Sequence, residues 1–379
     1  MTKKILWLSD FDFSGSGYYY ISAPLCSGLS ELGYEVKAIG LGYRGQPHNF
    51  DFSIIPCQSF QDAHAMIHNL NHKWQFDVLV IALDIPQQLF FAERLRQEGI
   101  KHIAITPLEN PPLTKTWMMG LSQLEWTFFI SEISAQAAQD AGLKNSSHIR
   151  IGVDTEAWRL PTKDERERVR KSMGIDNKFV ILTVADNQER KNPAYGYDIV
   201  SKVKQAGVPV LYLHVTREHN PQGLNLRDYA EVVGLKSQED YRIIERGIPS
   251  SELMALYWAS DVFLLPTKAE GLGLPVLEAM ACGTPVVATD TGAIHELLVG
   301  GRGYYVPSEY SFIDVWGNSK RDMIDKDTAA NCIEAIHSNR EDAHANDKLA
   351  RKYVEERTWT MARNQLEYKI KEVCNGQNK

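Results

Sequence analysis

No stretch of this 379-residue sequence stays apolar for the ~20 residues a membrane-spanning helix requires. The opening MTKKILWLSDFDF carries two lysines, but its apolar run is too short for a secretory signal. Basic residues are in deficit, 41 against 48 acidic ones, for a net charge of −7. That balance excludes general nucleic-acid binding, which needs a basic footprint to displace counterions. The five cysteines (Cys26, Cys57, Cys282, Cys332 and Cys374) are scattered and form no C-x-x-C pair. A disulfide framework and a zinc knuckle are therefore excluded, and a reducing compartment is indicated. Internal repeats and low-complexity tracts are absent too. The expectation is a soluble cytoplasmic protein, compatible with peripheral membrane contact, with no oligomeric state specified.

What the chain does have is a series of short apolar runs separated by helix-length amphipathic segments. KILWLS, EVKAIG, FSIIP, DVLVIAL, HIAITP, WTFFIS and HIRIG fall in the first 152 residues. Runs apolar on both faces that alternate with helices signal a parallel sheet covered on both sides. Gly33, Gly99 and Gly142 sit where helices should stop. The charged segment PTKDERERVRKSMGI then interrupts the pattern and reads as a linker with a solvated helix. The series restarts with KFVILTVA, VPVLYLHV, YRIIER, DVFLLPT, PVVAT and GYYVP, and from Asp327 to Val373 it reads as helices only. The fold class is α/β: two Rossmann-like doubly wound domains, at 1–155 and 177–350, joined by a linker at 156–176. In open α/β sheets, ligands sit beyond the carboxyl ends of the strands.

After the run DVFLLPT comes KAEGLGLPVLEAMACGTPVV. Pro275 suits the first turn of a short helix, about Pro275 to Cys282, and Gly283 suits its end. Before it, Gly271 and Gly273 let backbone N–H groups approach a ligand closely. Free amides at the positive end of a helix favour an anion, typically phosphate. Glu270 would repel that phosphate and is better placed to accept hydrogen bonds from the hydroxyls of a sugar. Glu278, one turn into the helix, could do the same for a ribose. Spacing alone equally fits a capped structural helix carrying two solvated glutamates.

The longer stretch EGLGLPVLEAMACGTPVVATDTGAIHELL resembles the donor-site signature of the retaining GT-B glycosyltransferases known as glycosyltransferase family 4. That signature has two glutamates separated by seven residues within EGFGLPVLEAMACGTPVV, and only Leu272 departs from it, replacing phenylalanine. IPSSELMALYWASDVFLLPT, IRIGVDTEAW and RTWTMARNQLEYKI resemble its flanking segments, with Ile151 where asparagine is usual. The likeness covers most of 125–375 and is weak over the N-terminal half. It implies a GT-B fold with the two domains facing across a cleft, and a C-terminal helix, 351–379, returning to the N-terminal domain. It also implies transfer of a hexose, with retention, from a nucleotide-diphosphate sugar to a sugar, glycan or other hydroxyl acceptor, without metal or cofactor. Glu270 would contact the donor sugar, the backbone from Gly271 through Leu272 and Gly273 to Leu274 the diphosphate, and Glu278 the ribose. The nucleobase is expected near Glu245 to Pro249.

The charge that builds on a departing diphosphate calls for a fixed cation. The family supplies an arginine and a lysine in a pattern like GRLxxxKG. This chain reads VADNQERKNP, so Lys191 matches the lysine, Asp186 stands at the arginine position, and Arg190 is the candidate replacement. In the first domain, Ser16 and Gly17 fall where the family often has a Gly-Gly pair, as a phosphate- or acceptor-side loop. The lone G-x-G there is too weak for a dinucleotide site. The family's histidine after the HIAITP strand is missing, which leaves Glu109 as the nearest polar candidate, with Tyr18 and Trp117 as aromatics for the acceptor side. Tyr19 and Tyr20 are further aromatics there, and core packing explains one or two of the set equally well. Asp10 and Asp12 spell the D-x-D of metal-dependent glycosyltransferases, but they follow the first strand of a domain that resembles GT-B, whose members generally need no metal, and Asp12 is expected to shape the loop instead. His64, His68 and His72 share one helix face and read as solvated. A sugar-nucleotide epimerase or phosphorylase on the same fold, or a non-catalytic sugar-nucleotide-binding subunit, are the alternatives.

Overall fold

The computed structural model describes residues 2–314 and 319–376. Seven strands form the first sheet: β1 (Lys4–Asp10), β2 (Glu35–Leu41), β3 (Ser53–Cys57), β4 (Val78–Ala82), β5 (His102–Thr106), β6 (Trp126–Phe129) and β7 (Ser146–His148). All pair in parallel, in the order β3-β2-β1-β4-β5-β6-β7. Central strand β1 shows why: Ile5, Leu6, Trp7 and Leu8 are all fully buried, so both faces are covered by helices. Its register sets Ile5 between Val36 and Val78. Leu6, Leu8, Leu79, Ile81 and Phe91 form one apolar cluster of this unit, and Ala104, Phe129, Leu121 and Leu143 another. Gly33, Gly99 and Gly142 each follow a helix, as expected.

The second sheet comprises β8 (Phe179–Val184), β9 (Val210–Thr216), β10 (Tyr241–Glu245), β11 (Val262–Leu265), β12 (Val286–Thr289) and β13 (Tyr304–Val306), in the order β10-β9-β8-β11-β12-β13. Its strands are parallel as well. Ile181, Tyr197, Tyr212, Val262 and Val287 lie in its main apolar cluster. In both sheets the winding reverses direction once, between β1 and β4 and between β8 and β11. A doubly wound sheet opens a crevice at such a reversal, outside the carboxyl ends of the two strands.

The chain divides into two compact units, Met1–Gly152 with Arg357–Lys379, and Val153–Glu356. The passage back to the first unit therefore lies after the expected 351. Arg351 accounts for the difference: its guanidinium donates to the carbonyls of Trp158 (2.7 Å), Ala281 (2.6 Å) and Thr155 (3.0 Å), which holds helix Arg340–Glu355 in the second unit. Helix Trp359–Asn375 belongs to the first.

Three other expectations need correction. The linker helix, Lys163–Met173, is not simply solvated. Arg166 and Arg170 reach Asp261 at 2.8 and 3.1 Å, and the same carboxylate accepts from the Val180 amide at 2.8 Å. Charge pairing, not apolar burial, docks this helix, so no apolar stripe in its sequence marks the contact. Strand β7 starts two residues before the expected HIRIG run and shares only His148 with it. Finally, an antiparallel hairpin, β14 (Ser308–Asp314) and β15 (Ser319–Ile324), precedes the last helices. Its first strand is exposed along most of its length, so it lacks the apolar signature by which the other strands are recognised.

Candidate functional site

The two loops that leave β8 and β11, residues 185–192 and 266–273, meet at the reversal of the second sheet. A short 3-10 turn, Glu189–Lys191, presents Arg190 and Lys191 there. Glu270 comes from the other loop and is 6% exposed. Its carboxylate accepts a hydrogen bond from Lys191 Nζ and lies 3.4 Å from the Arg190 guanidinium. Burial by itself would raise the Glu270 pKa. The Lys191 and Arg190 charges and the Lys191 hydrogen bond overcome that and hold the carboxyl below its usual range. The result is a buried anion flanked by two cations.

Hydrogen bonds to backbone carbonyls hold these loops. Arg190 donates to the Ala269 carbonyl at 2.6 Å, and the Lys268 amide donates to the Arg190 carbonyl at 2.8 Å. Thr267 Oγ1 donates to the Ala269 carbonyl at 3.0 Å. Lys268 itself is buried and ion-paired with Glu189.

Past Glu270, Leu272 is buried, which leaves its backbone as the part able to meet a ligand. Gly273 has φ +89°, and a Cβ there would stand 2.7 Å from Ile294 Cδ1. The positive φ is what calls for glycine, and a side chain there would also have to displace the tip of Ile294. Helix Leu274–Ala281 follows with Pro275 in its first turn, one residue earlier than the sequence suggested. Glu278, on that helix, is partly buried and accepts from the Tyr257 hydroxyl at 2.9 Å. Burial pushes the Glu278 carboxyl up to about 7, against the opposing pull of the Tyr257 hydrogen bond. Burial and the adjacent Glu278 also raise the Tyr257 phenol, so it remains the donor.

Asp186, at the position where the family has arginine, is paired with Arg217 and lies 4.0 Å from Arg246. These arginines follow β9 and β10. Burial would raise the Asp186 pKa, but the Arg217 hydrogen bond and the two arginine charges bring it below the usual value. The next residue, Asn187, is fully buried and fastens the loop after β9, accepting from the Leu224 amide at 2.9 Å and donating to the Leu224 carbonyl at 2.8 Å.

In the first unit, the loop after β1 leads into helix Gly17–Glu31. Ser16 occupies the N-cap position, but its side chain makes no capping hydrogen bond. Asp10 accepts from the Asp12 amide at 2.8 Å and Asp12 from the Ser14 amide at 3.0 Å, so both carboxylates shape this turn. Tyr18 donates to Asp84 at 2.5 Å, bridging the loops after β1 and β4 at the reversal of this sheet. Glu109 lies in the loop after β5 and is partly buried. Trp117 packs against the apolar cluster of Ile85, Leu108 and Leu121, so the core accounts for it at least in part. His68 is 3.0 Å from Glu98 on the neighbouring helix, so this face of the helix is not merely solvated.

The structure therefore brings Glu270, Lys191 and Arg190 together, and sets Glu278 against Tyr257 on the same run of chain. Sequence reasoning missed Tyr257, Asn187, Arg217 and Arg246. Tyr257 lay within a recognised flanking segment and Asn187 within the run VADNQERKNP; for Arg217 and Arg246, no local pattern distinguishes them from surface polar residues. Among the described residues, no group of three or more His, Cys, Asp or Glu could hold a metal ion. No helix among them is long and apolar enough to cross a membrane.

Two parallel-sheet Rossmann-like units in one chain are the architecture of the GT-B glycosyltransferases. The sucrose-phosphate synthase of Thermosynechococcus elongatus matches with a TM-score of 0.76 at 16% identity, covering 99% of this chain and 100% of that one. Anabaena Alr3699/HepE in complex with UDP-glucose matches with a TM-score of 0.75 at 15% identity, covering 97% and 99%. At the level of sequence, residues 178–315 match the family described as Glycosyl transferases group 1. The GDP-mannose-dependent alpha-(1-6)-phosphatidylinositol monomannoside mannosyltransferase of Mycolicibacterium smegmatis is 31% identical over 165 residues, covering 41% of this chain and 41% of that protein. The putative glycosyltransferase EpsD of Bacillus subtilis is 23% identical over 333 residues, covering 81% and 84%. The family match thus falls within the second unit, and the chain spans about two-fifths of the mannosyltransferase it matches.

Proposed function

We propose that this protein is a retaining glycosyltransferase that moves a hexose from a nucleotide-diphosphate sugar to a hydroxyl on a sugar, glycan or other acceptor. The observation that carries this reading is the buried Glu270 carboxylate, paired with Lys191 and Arg190 at the reversal point of the second sheet. A sugar and a diphosphate need this combination, an acceptor for hydroxyls beside cations for phosphate oxygens. The start of helix Leu274–Ala281 adds backbone donors for the diphosphate. Glu278 takes the ribose hydroxyls, and the loop near Glu245 to Pro249 the nucleobase. The loops of the first unit around Ser16, Gly17, Tyr18 and Glu109 serve the acceptor.

In the reaction the bond from the anomeric carbon to the diphosphate oxygen breaks and a bond to the acceptor oxygen forms on the same face. The acceptor proton passes to the departing phosphate. Lys191 is the central electrostatic group, because the leaving oxygen gains negative charge as the bond lengthens. In the free protein Lys191 is engaged by Glu270, so donor binding redistributes it between carboxylate and phosphate. Side-chain cations supply the counter-charge, and the reading requires neither metal nor cofactor. Pairing of Asp186 with Arg217 and Arg246 leaves Lys191 and Arg190 as the cations at Glu270, which favours turnover over a purely binding role.

The direct test is thermal stabilisation by UDP, GDP, ADP and dTDP, comparing the wild type with Glu278→Ala. A nucleotide at about 100 times its Kd adds roughly 2.7 kcal/mol to the native state. One nucleotide should stabilise the wild type and lose that effect in the variant. No response to any of the four would overturn the donor-site reading. Turnover is then checked with sugar conjugates of the responding nucleotide.

A further inference from the structure

The hairpin formed by β14 and β15 is joined to the Glu270 loop at Asp322, through its backbone amide, and the carboxylate of the same residue is buried. Asp322, in β15, is 2% exposed. Its backbone amide donates to the Lys268 carbonyl at 2.8 Å. Its side chain accepts from Thr291 Oγ1 at 2.9 Å and from Ser311 Oγ at 2.5 Å, and it lies 2.8 Å from Lys320 Nζ. The same Thr291 oxygen lies 3.2 Å from the Lys268 carbonyl. The Phe312 ring of β14 lies 5.9 Å from Lys268 Nζ.

Lys268 is therefore held from both sides. Its amide is tied to the Arg190 carbonyl of the β8 loop, and its carbonyl to the Asp322 amide, with the Thr291 oxygen alongside. Glu270 follows two residues later. Loops without such anchors open locally at low free-energy cost, and a misplaced catalytic group loses rate steeply with distance. A chain needing only a stable sheet would have no use for a buried carboxylate at this point. An apolar residue would fill the space without a charge to satisfy.

We propose that Asp322 is a positioning residue for the Glu270–Lys191 site, and that the hairpin is the brace through which it acts. This rests on the glycosyltransferase reading for its catalytic consequence, but not for its structural one. The carboxylate organises Thr291, Ser311 and Lys320 into a rigid cluster whose backbone bond to Lys268 fixes where Glu270 lies. Glu278, on the following helix, is independent of the cluster, so nucleotide affinity and turnover should respond differently.

The experiment compares wild type, Asp322→Asn and the near-isosteric Thr291→Val by hydrogen exchange of the full chain, followed by donor kinetics. The expected result is exchange of the amides of 266–273 faster by about tenfold or more, with β8 and β11 still protected. Turnover should fall about tenfold or more, while KM for the donor changes less than about threefold. Unchanged protection of 266–273 in both variants would overturn the proposal. Protection lost across the whole second unit in both would do the same, by making Asp322 a residue of general stability. If the wild type turns over no sugar nucleotide, the functional reading fails, and the exchange comparison still decides whether the brace exists.

Discussion

Glu278→Gln separates the ionisation of the proposed ribose ligand from its shape. In the folded protein burial raises the Glu278 carboxyl from the ordinary 4.5 to about 7. A raised carboxyl binds its proton more tightly when folded than when unfolded. The protonated form therefore favours the native state, and that advantage disappears as pH rises from about 4.5 to about 7. At about 1.4 kcal/mol per unit, a shift of this size corresponds to roughly 3 kcal/mol at most. Partial exposure of Glu278 and the surviving Tyr257 hydrogen bond bring the expectation to about 1–3 kcal/mol. Glutamine keeps the shape and an acceptor for Tyr257 but does not titrate. Urea unfolding at intervals between about pH 5 and about pH 8 should show wild-type stability falling relative to the variant by that amount, because all other titrations cancel in the comparison. Parallel profiles would refute the argument. Ribose hydroxyls donate to the ionised carboxylate, so nucleotide affinity of the wild type should rise over the same upper range, with proton release on binding. Glu278→Gln should abolish that dependence.

Lys191→Ala leaves Glu270 with Arg190 as its neighbouring cation, and should cost about 2–4 kcal/mol, since removing one partner of a buried pair strands the other. In a Glu270→Gln background the same change should cost less than about 1 kcal/mol, and additivity in denaturant unfolding would contradict the pairing. Gly273→Ala places a Cβ against Ile294 at a positive φ and should lower stability by about 1–3 kcal/mol, read as a drop in Tm. Asp186→Arg restores the residue usual in the family yet sets it beside Arg217 and Arg246. It should destabilise by about 1–3 kcal/mol through like-charge repulsion and leave turnover no higher, so a gain in activity would show that the arginine pair is not the reason for the aspartate.

The Glu270 loop illustrates how far local pattern reaches. EGLGLPVLEAM announces its turn, its glycine and its helix start in consecutive residues, because each obeys a local rule of backbone conformation. Lys191 was legible by resemblance alone, since a lysine in a loop is ordinarily solvated. The linker helix was misread for the converse reason: its docking depends on Asp261, far away in the chain, and nothing near Arg166 and Arg170 records that. β14 was invisible because an exposed edge strand carries no apolar alternation. Tyr257 lay inside a recognised segment, and only its contact with Glu278, distant in the chain, shows what it does.

Sequence by itself determined the elements buried on both faces, the parallel winding they imply and the glycine-bounded loop that carries Glu270. Those features depend on the periodicity and conformational limits of residues close together in the chain. Only the tertiary structure decided which distant groups meet: the charges of Glu270 with Lys191 and Arg190 and of Asp186 with Arg217 and Arg246, and the Asp322 backbone with the Lys268 loop. Ion pairs and buried hydrogen bonds act over a few ångströms. Strand order, not sequence distance, determines which loops come within that range.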